Sequence, residues 1–157
     1  MGRVRTFVSR LMRSGWAPPG GGPAGGRGRT GDGVQIVYAP DRDGDPDPGE
    51  VVWAWVPYED DPAQGKDRPV LVIGYDGRGG RLLAVPLSSK DPADKRDARE
   101  WVSVGTGGWD RERRESFANA DRVLRYAPGD VRREGAALPR ERFDAVVATA
   151  RSLGRIR

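Results

Sequence analysis

The residues best suited to chemistry gather around one short run, GKDRPVLVIG at 65–74. Arg68 and Pro69 stand where a charged, glycine-led segment gives way to the apolar run Val70-Leu71-Val72-Ile73. An arginine carries a permanent charge on a planar fork that matches two oxygens of a phosphate or carboxylate. Pro69 restricts Arg68 to extended backbone, which limits where the side chain can point. The ordinary alternative is a surface ion pair with Asp61 or Asp67. A second feature is the hydroxyl pair Ser88-Ser89 at the end of the apolar run RLLAVPLS, residues 81–88. Such hydroxyls donate to an anion or cap backbone groups at a strand end.

Histidine and cysteine are both absent from the 157 residues. That rules out a Ser-His-Asp triad, imidazole or thiolate metal sites and disulfides. The acidic stretch DRDGDPDPG, residues 41–49, lacks the spacing and closing glutamate of an EF-hand loop. No metal or other cofactor is expected. The formal net charge of +4 hides a division. Residues 1–33 hold six arginines and one aspartate, whereas the remainder holds 21 basic and 22 acidic residues. The positive charge therefore belongs to the tail, where it attracts nucleic acid or an acidic surface, or reflects composition alone. No apolar run approaches the roughly 20 residues of a membrane span. The N-terminus lacks the apolar core of a secretory signal, so a cytoplasmic protein is expected.

These side chains need a scaffold, and short strands supply it. Residues 1–33 read as a disordered, basic, Gly/Pro-rich tail, with a short amphipathic helix over 3–16. Residues 34–48 read as a linker with a candidate edge strand, VQIVYAP at 34–40. The folded domain spans 49–154. EVVWAWVP, residues 50–57, is apolar on both faces, which predicts a strand buried on both sides. Residues 58–67 read as a polar loop, 69–75 as a strand, DGRGG at 76–80 as a hairpin turn and 81–88 as a third strand. Pro86 there points to an edge or a bulge. Strands are also expected at 101–104 and about 120–126, with a short extended segment in VRREGAAL. A helix over about 139–153 starts at Pro139, lines up Phe143, Val146, Val147, Ala150 and Leu153, and is capped by Gly154. The sum is a mainly β fold with a C-terminal helix, a small, partly open barrel.

In this order the segments GEVVWAWVP, QGKDRPVLVIG, AVPLSSK and NADRVLRY resemble the MazF/PemK toxins of type II toxin–antitoxin systems. The resemblance covers about residues 48–153. It implies an SH3-like barrel of MazF/CcdB type, a homodimer, and a cognate antitoxin that neutralises it. It also implies an endoribonuclease that cuts single-stranded RNA at short sequences without a metal. The RNA 2′-OH is then the nucleophile, and the products carry a 2′,3′-cyclic phosphate and a 5′-OH.

The resemblance assigns the catalytic roles. Arg68 matches the arginine held against the scissile phosphate, where a planar cation suits the extra charge of a pentavalent phosphorane. Ser88 stands in the place of a catalytic threonine, Ser89 follows it, and Asp121 matches the acid of an ADQ-like segment. Asp121 is a candidate acceptor of the 2′-OH proton; the alternative is an ion pair with Arg122 or Arg125. Gln64, Lys66, Lys90 and Asn119 are candidate RNA-binding residues, with Lys95 and Arg96 as solvated loop charges. Trp109 is read as packing, as are Trp53, Trp55 and Trp101, with base stacking the alternative for Trp109. Two departures stand out. The first loop has no histidine, and Asn119 occupies a place where some members have arginine. A non-catalytic RNA-binding barrel, or a CcdB-like partner-poisoning protein, stays open as the alternative.

Overall fold

The computed structural model describes residues 33–40, 46–77, 80–93, 96–132 and 136–156. The expected tail over 1–33, all but Gly33, and Lys95 lie outside them. Among the described residues eight antiparallel strands form: β1 (Val34–Ile36), β2 (Val51–Pro57), β3 (Gly65–Asp76), β4 (Arg81–Ser88), β5 (Trp101–Gly105), β6 (Ser116–Asn119), β7 (Leu124–Tyr126) and β8 (Val131–Arg132). The α-helix α1 (Arg140–Ser152) follows them. The hydrogen-bonded path runs β5-β6-β4-β3-β2-β8, with β1 added to β3 and β7 to β4. Among the described residues β5 and β8 do not pair, so the barrel stays open. None of these residues forms a helix long and apolar enough to cross a membrane.

Alternation along β2, β3 and β4 explains why these strands are apolar on both faces. Val51, Leu71, Ile73, Leu83, Val85 and Leu87 point to one core, which α1 covers with Phe143, Val146, Val147 and Ala150. Val52, Ala54, Val56, Val70, Val72, Leu82 and Ala84 point to the other, closed by Val131, Leu124 and Tyr126. Pro139 is the helix N-cap, one residue before the first-turn place expected of it, and Gly154, at φ +76°, ends the helix as expected. The candidate edge strand of 34–40 forms over its first three residues only, as β1. Beyond it the Tyr38 hydroxyl donates to the Leu138 carbonyl at 2.6 Å, and its ring meets Phe143 edge-on at 5.0 Å.

Two boundaries differ from expectation. The strand expected from 69 begins at Gly65, because residues 65–68 pair with Ala54–Pro57 of β2. Only glycine fits at 65: a Cβ there would come within 2.3 Å of the Val56 carbonyl oxygen. Arg68 therefore stands inside a strand, opposite Ala54, and not at its threshold. The strand expected over 120–126 is broken. SFAN, residues 116–119, pairs as β6, the chain turns at 120–123, and β7 follows. Asn119 makes that break: its Oδ1 accepts from the Asp121 amide at 3.1 Å and its carbonyl from the Arg122 amide at 3.1 Å. Such a local cap competes with continued strand pairing.

Candidate active site

β3 and β4 pair from Asp76↔Arg81 to Val70↔Pro86 and then separate. Extending that register would set Arg68 opposite Ser88. Instead β4 leaves β3 for β6, pairing Leu87 with Ala118 and Ser88 with Phe117. Two prolines mark the fork. The Val72 amide and carbonyl bond Glu50 and Gly49 on the β2 side. Alternation then turns position 69 toward β4, where Pro69 has no amide proton to give. Pro86 stands in the gap between β4's pairing with β7, which ends at Ala84, and its pairing with β6, which starts at Leu87. That matches the edge or bulge position expected of a strand proline.

A cleft of about 610 Å³ opens at this fork. Its walls include Arg68, Ser88, Ser89, Lys66, Lys90 and Asn119, so six of the eight sequence-derived candidates converge. Arg68 is half-buried and, among the described residues, has no side-chain hydrogen bond or ion pair. Neither acid proposed as its partner pairs with it. Asp67 accepts from Arg132 at 3.2 Å, and Asp61 accepts from Gln64 at 3.0 Å. Lys66 and Lys90 likewise lack an acidic partner among the described residues. The Ser88 Oγ accepts from the Lys90 amide at 3.1 Å, which leaves its hydroxyl proton free to donate. Asn119 spends its side-chain oxygen on its own turn, so its NH₂ protons are what it can offer a substrate.

Two candidates fall elsewhere. Gln64 is folded onto Asp61 and does not line the cleft. Asp121 does not line it either; its carboxylate accepts from Arg155 at 2.8 Å, not from Arg122 or Arg125. Arg122 does line the cleft, donating to the Pro57 carbonyl and lying 3.7 Å from Glu59. Among the cleft's carboxylates, Asp60 and Asp97 have no cation partner within the described residues. No group of three or more metal-ligating side chains forms among those residues.

The tryptophans divide. Trp109 is 3% exposed, its indole N–H donating to Ser116 Oγ at 3.0 Å, so it is packing. Gly107 makes room for it: a Cβ there would lie 2.2 Å from the ring. Trp53 and Trp101, expected only to pack, line the cleft, while Trp55 is exposed. Trp53 is held by an indole hydrogen bond to the Trp109 carbonyl at 3.2 Å. The alternation of β2 carried a signal for Trp53, which lies on the face of Val51 and one residue from the fork's level. Nothing in the linear order marked Trp101 or Arg122.

At the cleft's far edge, Arg114 donates to Asp110 at 2.9 Å, and this bond holds the Asp110 carboxyl below the usual carboxylate range, against its burial. The amides of Glu112 and Arg114 donate to the same carboxylate at 3.0 and 3.3 Å. Beside Asp121, burial together with the charges of Asp121 and Asp97 pushes the Glu100 carboxyl up, partly offset by Arg99 and Arg155.

A family model for the PemK-like, MazF-like toxins of type II toxin–antitoxin systems matches residues 47–153. A MazF from Deinococcus radiodurans has a similar structure at TM-score 0.54 and 21% identity, over 71% of this chain and 98% of that one. An endoribonuclease from a mycobacterial species, solved with its cognate antitoxin, aligns at TM-score 0.47 and 20% identity, over 68% and 94% of the two chains. A search of curated proteins gives no match. With more than half its length matched by the family model, the chain belongs to the PemK-like, MazF-like toxins of type II toxin–antitoxin systems.

Proposed function

We propose that this protein is a toxin endoribonuclease that cleaves single-stranded RNA at short specific sequences by attack of the RNA's own 2′-OH, without a metal. The observation that carries this reading is the set of cations without acidic partners, Arg68, Lys66 and Lys90, gathered with Ser88 and Ser89 where β3 and β4 part. Unneutralised cations facing one cleft suit a phosphodiester. In the reaction O2′ bonds to phosphorus and the bond to O5′ breaks. Arg68 and the Ser88 hydroxyl donate to the nonbridging oxygens as their charge grows. Asp60 and Asp97 are the cleft carboxylates available to accept the 2′-OH proton. O5′ takes up a proton as it leaves, giving a 5′-OH beside a 2′,3′-cyclic phosphate.

The rest of the assignment follows from family membership. A toxin of a type II system implies a cognate antitoxin, and we place the protein in the cytoplasm as a homodimer. Residues 49–154 form the catalytic domain and residues 1–33 a basic tail. The test is incubation of end-labelled single-stranded RNA with the protein in EDTA, followed by end-group analysis. Cleavage yielding 2′,3′-cyclic phosphate, and blocked by one 2′-deoxy substitution at the scissile nucleotide, is expected. Cleavage that persists at the deoxy site, or that needs a divalent ion, would refute the mechanism; RNA bound but left intact would favour the non-catalytic alternative.

A further inference from the structure

We propose that Asp121 is a positioning residue and not a proton acceptor, and that Arg155, beyond the end of α1, holds one wall of the cleft through it. The proposal rests on reading the cleft as an RNA-cleaving site. The wall in question is the turn at 119–122, which carries Asn119 and Arg122 into the cleft. Inside the turn, backbone and Asn119 side-chain hydrogen bonds fix the local shape. Outward, the Ala120 amide donates to the Glu100 carbonyl at 2.9 Å, and Arg122 clasps the Pro57 carbonyl on the opposite wall.

The Asp121 carboxylate belongs to this turn but does not line the cleft; it accepts from Arg155 Nε at 2.8 Å. Arg155 is itself well placed to serve as an anchor. Gly154 turns the chain at φ +76°, the Arg155 amide donates to the Ala150 carbonyl at 2.9 Å, and Ile156 is buried in the helix-side core. One ion pair therefore links the end of α1 to the turn that presents Asn119 and Arg122. The pair is half-exposed, with side chains 50% and 34% accessible, so it adds little to global stability. Its effect is on position, where a shift of about 1 Å in a cleft side chain costs up to about 100-fold in rate. A carboxylate bonded to Arg155 and absent from the cleft lining is also out of reach of a proton on a molecule in the cleft.

The test uses the full chain with Arg155→Gln, Asp121→Asn, the double variant and Arg155→Lys, each checked for an unchanged melting midpoint. Two readouts are needed. Hydrogen exchange at the amides of residues 120–122 should quicken about 10-fold in either single variant, with α1 unaffected. Single-turnover cleavage of a target RNA at saturation should slow about 10-fold in either single variant, with the pH profile keeping its shape. The double variant should be no slower than the singles, and Arg155→Lys should recover most of the rate. Unchanged exchange in Arg155→Gln, or faster exchange with an unaltered rate, would overturn the proposal. So would Asp121→Asn abolishing cleavage while Arg155→Gln leaves it intact, the pattern of a proton acceptor. A wild type inert toward every RNA would instead remove the ribonuclease reading, and the exchange arm alone would then decide whether Arg155 holds the turn.

Discussion

The two ends of β3 belong to one run of sequence yet obey opposite rules. On the helix side Leu71, Ile73, Val85 and Phe143 meet in a continuous apolar core. At the fork, a few residues earlier on β3, Lys66 and Arg68 lack any acid partner among the described residues. The first arrangement stabilises by removing apolar surface from water. The second does nothing for stability, since like charges repel and half-buried Arg68 loses part of its hydration. On the proposed function its sense lies in an anionic substrate. A substitution in the core should therefore move stability, and one at the fork chemistry.

The sharpest way to break this contrast is Arg68→Lys. It keeps the charge and loses the fork, so RNA cleavage should fall about 10²–10³-fold while the melting midpoint stays put. Loss of stability in that variant would show that Arg68 belongs to the scaffold. Next is Phe143→Ala under α1, which should cost about 3–5 kcal/mol in denaturant unfolding. Protein that remains folded should keep the wild-type rate per active molecule.

Asp110 lies between the two regimes, lining the cleft yet serving structure. Asp110→Asn should cost about 1–3 kcal/mol, because two amides and Arg114 lose a charged acceptor. Its folded pKa is lowered, so its stabilisation is present above the unfolded value of 3.8 and fades as the pH falls below it. An acid unfolding series should show a limb that the variant lacks. The smallest effect concerns Tyr126, whose hydroxyl burial pushes up to about 12. The unfolded chain ionises near 10 while the native state keeps its proton, so stability should decline between about pH 10 and 12. Tyr126→Phe should flatten that limb.

How much of this was legible in the sequence follows the same division. The alternating strands, the 81–88 segment and the helix stripe were readable, because burial imposes a period of two or about 3.6. The start of β3 was not. Lys66 and Asp67 look like loop residues, and only the pairing partner Trp55–Val56 shows that a polar pair is extending a strand. The break at Asn119 was hidden too, since an asparagine cap and a polar strand residue look alike until the next amides are placed. Of the site, Arg68 and the serine pair were legible as motifs, whereas the cleft that gathers them required the fork. Asp121 showed the limit most plainly. Its partner, Arg155, is 34 residues away, a distance that no local pattern spans.

On the proposed mechanism the fork brings Arg68 and Ser88 to bear on one phosphate. A double-mutant cycle tests it directly: single-turnover RNA cleavage in EDTA by wild type, Arg68→Lys, Ser88→Ala and the double variant. Ser88→Ala alone should cost about 10–100-fold, the worth of one hydrogen bond to a charged oxygen. Groups acting on one transition state are strongly non-additive, so the double variant should be scarcely slower than Arg68→Lys. Losses that simply multiply would mean the two side chains act independently, and the account of the fork would be wrong.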